Sequence, residues 1–290
     1  MGPGTVIALL VATEGPAYRT VGAAMAIGPD GRCAGAITSG CVEADLVLQA
    51  ASVRAGAPRR LRYGAGSPFF DLKLPCGGAV EVMLFALRDA EVLAELAARR
   101  AARAPVSLIV DAQGRLRLGR AGAGEFTLPF VPPVRFVVAG AGPEALVFTR
   151  LVAGMGHGHL LLSHDAATLA SARGLGLSAQ ELSRVSDLEA VAFDARTAVT
   201  LFYHDHDYEP ELLRVLLRGP AFYIGAQGSR GAQRGRIARL RDLGVPEAEI
   251  ARLRGPIGLI ASARSAETLA VSVLAEITAL AEGMAAHAPA

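Results

Sequence analysis

The first apolar run, residues 6–12, has strand length and no helical spacing. Residues 24–27 and 32–37 flank Gly28-Pro29-Asp30-Gly31, a turn sequence that predicts a hairpin. Apolar positions then move to helical spacing over 41–54 (Val42, Leu46, Val47, Ala50, Val53), with Ser39 placed as a cap. Residues 59–63 and 79–87 return to strand character, and 89–103 form an alanine-rich helix ended by Pro105. Two or three short strand-like runs follow between 106 and 133. They are separated by Gly114, Gly119, Gly122 and Gly124 and closed by Pro129, Pro132 and Pro133.

From Val134 the pattern alternates. Strands are predicted at 135–139, 159–162, 197–202 and 221–224, with helices at 140–155, 166–173, from about 229 to 243, and 265–284. Such alternation is the mark of a parallel, doubly wound sheet. The predicted fold class is therefore α/β. A mixed α+β domain carrying cysteine motifs, residues 1–125, precedes a Rossmann-like domain, residues 126–290, with the edge in the Gly/Pro stretch near 120–133.

At 290 residues the chain is long enough for two cores. A composition of 52% apolar and 19% charged residues excludes wholesale disorder. The net charge of +2 supplies no global field for nucleic acid or anionic lipid, so neither is an expected partner. Three cysteines do not make a disulfide framework in a chain of this length, which points to a reducing, cytoplasmic setting. The N-terminal run lacks a basic n-region and reads as a buried strand. No apolar stretch reaches the ~18 residues of a membrane span. A homodimer is the default expectation for oligomeric state.

Candidate chemistry begins with two cysteines in glycine-flanked turns, Ser39-Gly40-Cys41-Val42-Glu43 and Leu74-Pro75-Cys76-Gly77-Gly78. Glycine lets a backbone approach a ligand closely. Cys41, at a predicted helix start, gains thiolate character from the helix dipole and amides, while Glu43 either accepts a proton or suits the dipole. Each thiol alone is as readily structural as functional; two in like settings favour a shared site. Cys33, in an ordinary alternating run, reads as packing.

Gly140-x-Gly142-x-x-Ala145 follows a strand and opens a helix, the setting of a dinucleotide fingerprint, although Pro143 removes one amide donor. Asp165, one βαβ step on, is the candidate for a ribose hydroxyl. Gly225-Ala226-Gln227-Gly228-Ser229-Arg230 passes again from strand to helix. It offers amides, a hydroxyl and a guanidinium to phosphate, or else is a tight turn with Ser229 as cap. His204-Asp205-His206-Asp207 follows a buried strand. With no third metal ligand in view, a solvated capping loop is expected, and no metal residues are assigned.

These segments carry a family likeness. Thr13-Glu14-Gly15-Pro16-Ala17-Tyr18-Arg19 and the two cysteine motifs resemble the N-terminal domain of the XdhC/CoxI family. Tyr223-Ile224-Gly225 through Gly228-Ser229-Arg230, then Gly255-Pro256-Ile257-Gly258-Leu259 and Ser272-Val273-Leu274-Ala275-Glu276-Ile277 resemble its C-terminal Rossmann-like domain. The resemblance implies an accessory chaperone for molybdenum hydroxylases of the xanthine dehydrogenase type. Such a protein would bind molybdenum cofactor, as molybdopterin or a dinucleotide form, support its sulfuration by a cysteine desulfurase, and deliver it to the apo-hydroxylase. Cys41 and Cys76 match the family's cysteines and would face the reactive end of the cofactor with Glu43, and Gly40, Gly77 and Gly78 would let it approach. Gly140, Gly142, Asp165, Gly225, Gly228, Ser229 and Arg230 would hold phosphate or nucleotide.

The sequence also departs from the family pattern. Ser39-Gly40 stands where many members have two glycines, and Ser163-His164-Asp165-Ala166 replaces an acidic-Pro-Arg segment. Ile260 occupies a commonly acidic position and Ala266 replaces a frequent proline. The rival reading is an NAD(P)-dependent oxidoreductase using the Gly140-x-Gly142 loop. Against it, no hydride-transfer set is visible and Lys73 is the only lysine. A non-catalytic transfer factor is the preferred expectation.

Overall fold

The computed structural model describes residues 2–40, 42–67, 77–203 and 208–286, and the chain divides into two units between Pro132 and Pro133.

The first unit is built on an antiparallel five-stranded sheet. Its strands are β1 (Val6–Glu14), β2 (Ala24–Ile27), β3 (Cys33–Gly35), β4 (Arg59–Gly64) and β5 (Ala79–Ala86), in the order β3-β2-β1-β5-β4. Alternate side chains of β1 and β5 serve different cores. Val6, Ala8, Leu10, Val80, Val82 and Leu84 pack with Leu46, Ala50 and Val53 of α1 (Glu43–Val53). Leu9, Met83 and Phe85 face the other way, toward α2 (Ala90–Ala101) and a three-stranded sheet of β6 (Val106–Val110), β7 (Leu116–Leu118) and β8 (Phe126–Phe130). Burial on both faces explains why these strands read as unbroken apolar runs. Strand β8 pairs antiparallel with β6, so residues 126–130 belong to the first unit and the division falls after them. Strand β3 is wholly exposed, and Cys33 with it; its place in an alternating run does not make it a core residue.

The second unit carries a six-stranded parallel sheet. Strands β9 (Arg135–Gly140), β10 (Gly158–Ser163), β11 (Ala179–Glu181), β12 (Thr197–Phe202), β13 (Tyr223–Ala226) and β14 (Leu253–Arg254) lie in the order β11-β10-β9-β12-β13-β14. The chain reverses direction across the sheet between β9 and β12, the switch point beside which open α/β sheets bind ligands. One face is covered by α3 (Pro143–Gly154), α4 (Ala166–Gly174) and α8 (Ala266–Ala286), through Phe148, Ala172 and Val273 among others. The opposite face is covered by a 3-10 turn (Val185–Ala190), α5 (Glu209–Leu216), α6 (Arg230–Asp242) and α7 (Glu247–Ile250), through Leu188, Leu213, Leu240 and Ile250. Helices on both faces of a parallel sheet are the doubly wound arrangement that the alternating pattern predicts. Among the described residues no helix is long and apolar enough to cross a membrane.

Candidate functional site

Cys41, Cys76 and the segment 204–207 lie outside the described residues. Strand β1 ends where β5 begins, with Glu14 opposite Ala79, so residues 15–16 and 77–78 leave the sheet together. Gly78 is buried at that junction: a Cβ there would lie 2.2 Å from the Pro16 carbonyl oxygen and 2.8 Å from that of Glu14. Its own carbonyl accepts from the Ala65 amide at 3.2 Å, which adds the end of β4 to the group. Arg62 bridges Glu14 and Glu81 across the same three strands. Gly77 is exposed with φ +72°, and Gly40 is exposed with φ +108° and open space about its Cα.

Helix α1 begins over this end of the sheet. The Tyr63 hydroxyl, from β4, donates to Asp45 Oδ2 in the first turn of α1 at 2.6 Å. Burial and that acidic partner push the Tyr63 phenol well up, so it stays protonated and donating. The predicted Ser39 cap is not formed; the N-cap position is Val42, with no side-chain cap bond. Glu43 takes that role from inside the helix. Its carboxylate accepts from the amides of Ile37 (3.1 Å), Thr38 (2.6 Å) and Val42 (3.2 Å) and from the Thr38 hydroxyl (2.8 Å). Burial works to raise its pKa, but these donors outweigh it and hold the carboxyl below the usual range. A proton-accepting Glu43 would have to give up these bonds, so the geometry favours it as the clamp of the Ser39–Gly40 turn. The described parts of these segments, residues 14–16, residues 77–78 and the first turn of α1, thus lie at one end of one sheet.

In the second unit two amides of the glycine loop after β9 are already bonded from within. The Ala141 amide donates to the Phe202 carbonyl at 3.1 Å and the Gly142 amide to Thr168 Oγ1 at 3.0 Å, and Pro143 has no amide to give. The Thr168 hydroxyl in turn donates to Asp165 Oδ2 at 2.5 Å, and the Thr168 amide donates to the same oxygen at 2.7 Å. These bonds lower the Asp165 pKa and make it the N-cap of α4. Gly140 is there for packing, since a Cβ would lie 2.3 Å from the Phe202 carbonyl oxygen. The fingerprint spacing is present, but the Ala141 and Gly142 amides are engaged in holding β9, β12 and α4 together and are not free for a pyrophosphate.

The second loop is open. A cavity of about 630 Å³ lies past the C-terminal ends of β9, β13 and β14. It is lined by Glu144, by Gln227, Gly228, Ser229 and Arg230, and by residues 256–263. Ser229 caps α6 by accepting from the Ala232 amide at 3.1 Å, while Gly228 and Arg230 are exposed. Gly225 lies within β13 and is buried; its missing Cβ makes room for Ile257 and Tyr223, so it packs the cavity wall and does not face a ligand. The far wall is held by α8. Glu276 Oε2 accepts from the Gly258 amide at 2.5 Å, and Ser272 Oγ accepts from the Ile260 amide at 2.7 Å. The motif at 255–259 and the motif at 272–277 are thus two halves of one wall.

Behind the loop lies a buried polar group that the motif spacing does not reveal. Arg236 pairs with Glu209 at 2.8 Å, both side chains being 2% exposed or less. It also donates to the Gln227 carbonyl at 2.9 Å and to Gln233 Oε1 at 2.7 Å. Spacing on α6 could have found it: Gln233, Arg236 and Leu240 fall on one face, and all three are buried.

Comparison with known proteins matches this geometry at both ends. The profile of the XdhC Rossmann domain covers residues 136–277, and that of the XdhC and CoxI family covers residues 2–64. The molybdenum cofactor insertion chaperone PaoD of Escherichia coli (strain K12) is 34% identical over 287 residues, covering 96% of this chain and 84% of PaoD. A shorter likeness, 34% over 86 residues, links 30% of the chain to 16% of the protein YqeB of the same organism. The crystal structure of a xanthine dehydrogenase from Bacillus halodurans superposes with a TM-score of 0.73 at 21% identity, covering 96% of this chain and 92% of that one. At that identity it speaks for the fold alone.

Proposed function

The chain belongs to the XdhC and CoxI family, and from that premise we propose that it is a molybdenum cofactor chaperone. It takes up the cofactor and delivers it to a molybdoenzyme of the hydroxylase type. The observation that carries this reading is the likeness to PaoD, which runs through both units and nearly the whole chain. The geometry supplies residues for it. The thiols of Cys41 and Cys76 would face the metal or its exchangeable sulfur, and the described residues that flank them, Gly40 and Gly77, leave room for its approach. Glu43 keeps the turn before Cys41 in shape, and Gly78 lets the turn after Cys76 lie against Pro16. The exposed Gly228, Ser229 and Arg230 take the phosphate of the cofactor.

The same reading has the protein act in the cytoplasm, as a homodimer. It holds the cofactor while a partner cysteine desulfurase supplies sulfur. The NAD(P)-dependent alternative finds no support, and the Ala141 and Gly142 amides of its loop are already bonded within the protein. Purified protein incubated with isolated molybdenum cofactor and then desalted should retain molybdenum and pterin in equal amounts. Cys41→Ala or Cys76→Ala should lower that retention. Wild-type protein that keeps neither molybdenum nor pterin would sink the chaperone reading, and two alanine variants that both bind like wild type would sink the cysteine role.

A further inference from the structure

The segments after β12, β13 and β14 are all tied to one guanidinium. Arg236 Nη2 donates to the carbonyl of Gln227, the residue between β13 and the Gly228-Ser229-Arg230 loop. Arg236 Nε bonds Glu209 Oε2 at 2.9 Å, fixing the start of α5 beyond β12. Arg236 Nη1 fixes Gln233 Oε1, which lies against the backbone after β14: a Cβ on Gly255 would sit 2.2 Å from that oxygen. Gln227 adds a cross-link through its side chain, donating to the Tyr203 carbonyl at 3.4 Å. No apolar side chain could replace this set of bonds, because each holds an oxygen in a fixed direction.

A buried ion pair is a poor way to gain stability, because desolvating both charges offsets most of their attraction. What such a pair does well is fix geometry, and the forked, planar guanidinium can hold three partners at once. The neighbouring positions on the same helix face already supply apolar packing through Leu240. The charge at Arg236 is therefore placed where it shapes the cavity.

We propose that the buried Arg236–Glu209 pair is the positioning element of the second unit's cavity, holding the Gln227–Arg230 loop and the wall beginning at Gly255 in binding geometry before cargo arrives. This rests on the reading that the cavity takes the phosphate-bearing end of the cofactor. Neither residue lines the cavity; they act through Gln227, Gln233 and the backbone. Preorganised loops bind more tightly because their ordering cost is met in the free protein. Loss of the pair should then weaken binding without unfolding the sheet.

The test uses the full chain and the variants R236K and E209Q. Lysine keeps the charge but cannot reach Glu209, Gln227 and Gln233 together, and glutamine keeps the shape but not the charge. Hydrogen exchange of the free protein should accelerate at residues 227–230 and 255–260, while amides of α3 and α8, on the other face, exchange as in wild type. Retention of isolated molybdenum cofactor should fall about tenfold in each variant, the loss expected for removing one charged hydrogen bond. Exchange that rises equally everywhere would make the pair a stability element and overturn the proposal. So would unchanged exchange at the two loops. If wild type itself binds no cofactor, the functional reading fails, and the exchange measurement still decides the positioning role. Should R236K not fold, E209Q gives the same readouts.

Discussion

The Glu43 carboxylate receives both the amide and the hydroxyl of Thr38, at 2.6 and 2.8 Å, and so closes the turn that leads to Cys41. Removing it in Glu43→Ala leaves three amides without their acceptor and should cost about 2–3 kcal/mol in urea unfolding. Glu43→Gln, which keeps one acceptor oxygen, should cost less. The folded pKa is depressed, so the stabilisation is present above the ordinary glutamate value of about 4.3 and is lost as pH falls below it through the lower folded value. Wild type and Glu43→Gln should therefore differ in stability at pH 7 and converge in acid. A constant difference down to pH 3 would contradict the clamp.

Two adjacent glycines of the second cysteine motif should respond very differently to alanine. Gly77 has open space and φ +72°, so Gly77→Ala incurs only the left-handed backbone cost of about 1–2 kcal/mol. Gly78→Ala drives a methyl into the Pro16 and Glu14 carbonyls, and the two motif segments must separate. A loss above about 3 kcal/mol is expected, together with loss of cofactor retention. Equal tolerance of the two substitutions, by thermal unfolding, would show that the segments are not pressed together as described.

Much of this arrangement is legible in the chain itself. Strand-length apolar runs and glycine turns place β1, β5 and β9, because period and punctuation are local properties. Strand order is not local: that Glu14 lies opposite Ala79, and that β9 neighbours β12, follows only from tertiary pairing. The site divides along the same line. Ser229 as a cap is readable from its place before a helix, and the structure forms that cap. The Gly140 loop shows the opposite case, since spacing announces a phosphate cradle while Thr168, twenty-six residues away from Gly142, consumes its amide. Strands β11 and β14, of three and two residues, are too short to register as periodicity at all.

The Thr168 hydroxyl should prove structural. Thr168→Val removes the acceptor of the Gly142 amide and a donor to Asp165, leaving the backbone cap of α4 in place. A destabilisation of about 1–3 kcal/mol is expected, consistent with losing two hydrogen bonds of a buried hydroxyl. Titration of wild type with NADH or NADPH, followed by nicotinamide fluorescence, should show no saturable binding. Binding in the micromolar range would restore the oxidoreductase reading and require the loop to open.

Arg230 should separate binding from folding. It is exposed at the first turn of α6, beside Gly228 and the Ser229 cap, and lines the cavity with Glu144. An exposed side chain of this kind contributes little to stability, so Arg230→Ala should unfold within about 0.5 kcal/mol of wild type. A guanidinium–phosphate contact is charge-assisted, and its loss should weaken cofactor binding about tenfold or more. Raising ionic strength should weaken wild type more than the variant, because screening acts on the charge that the variant lacks. Arg230→Lys should recover part of the affinity through its charge, but not the bidentate geometry. Should Arg230→Ala bind as tightly as wild type, with the same salt dependence, the phosphate does not lie on this loop.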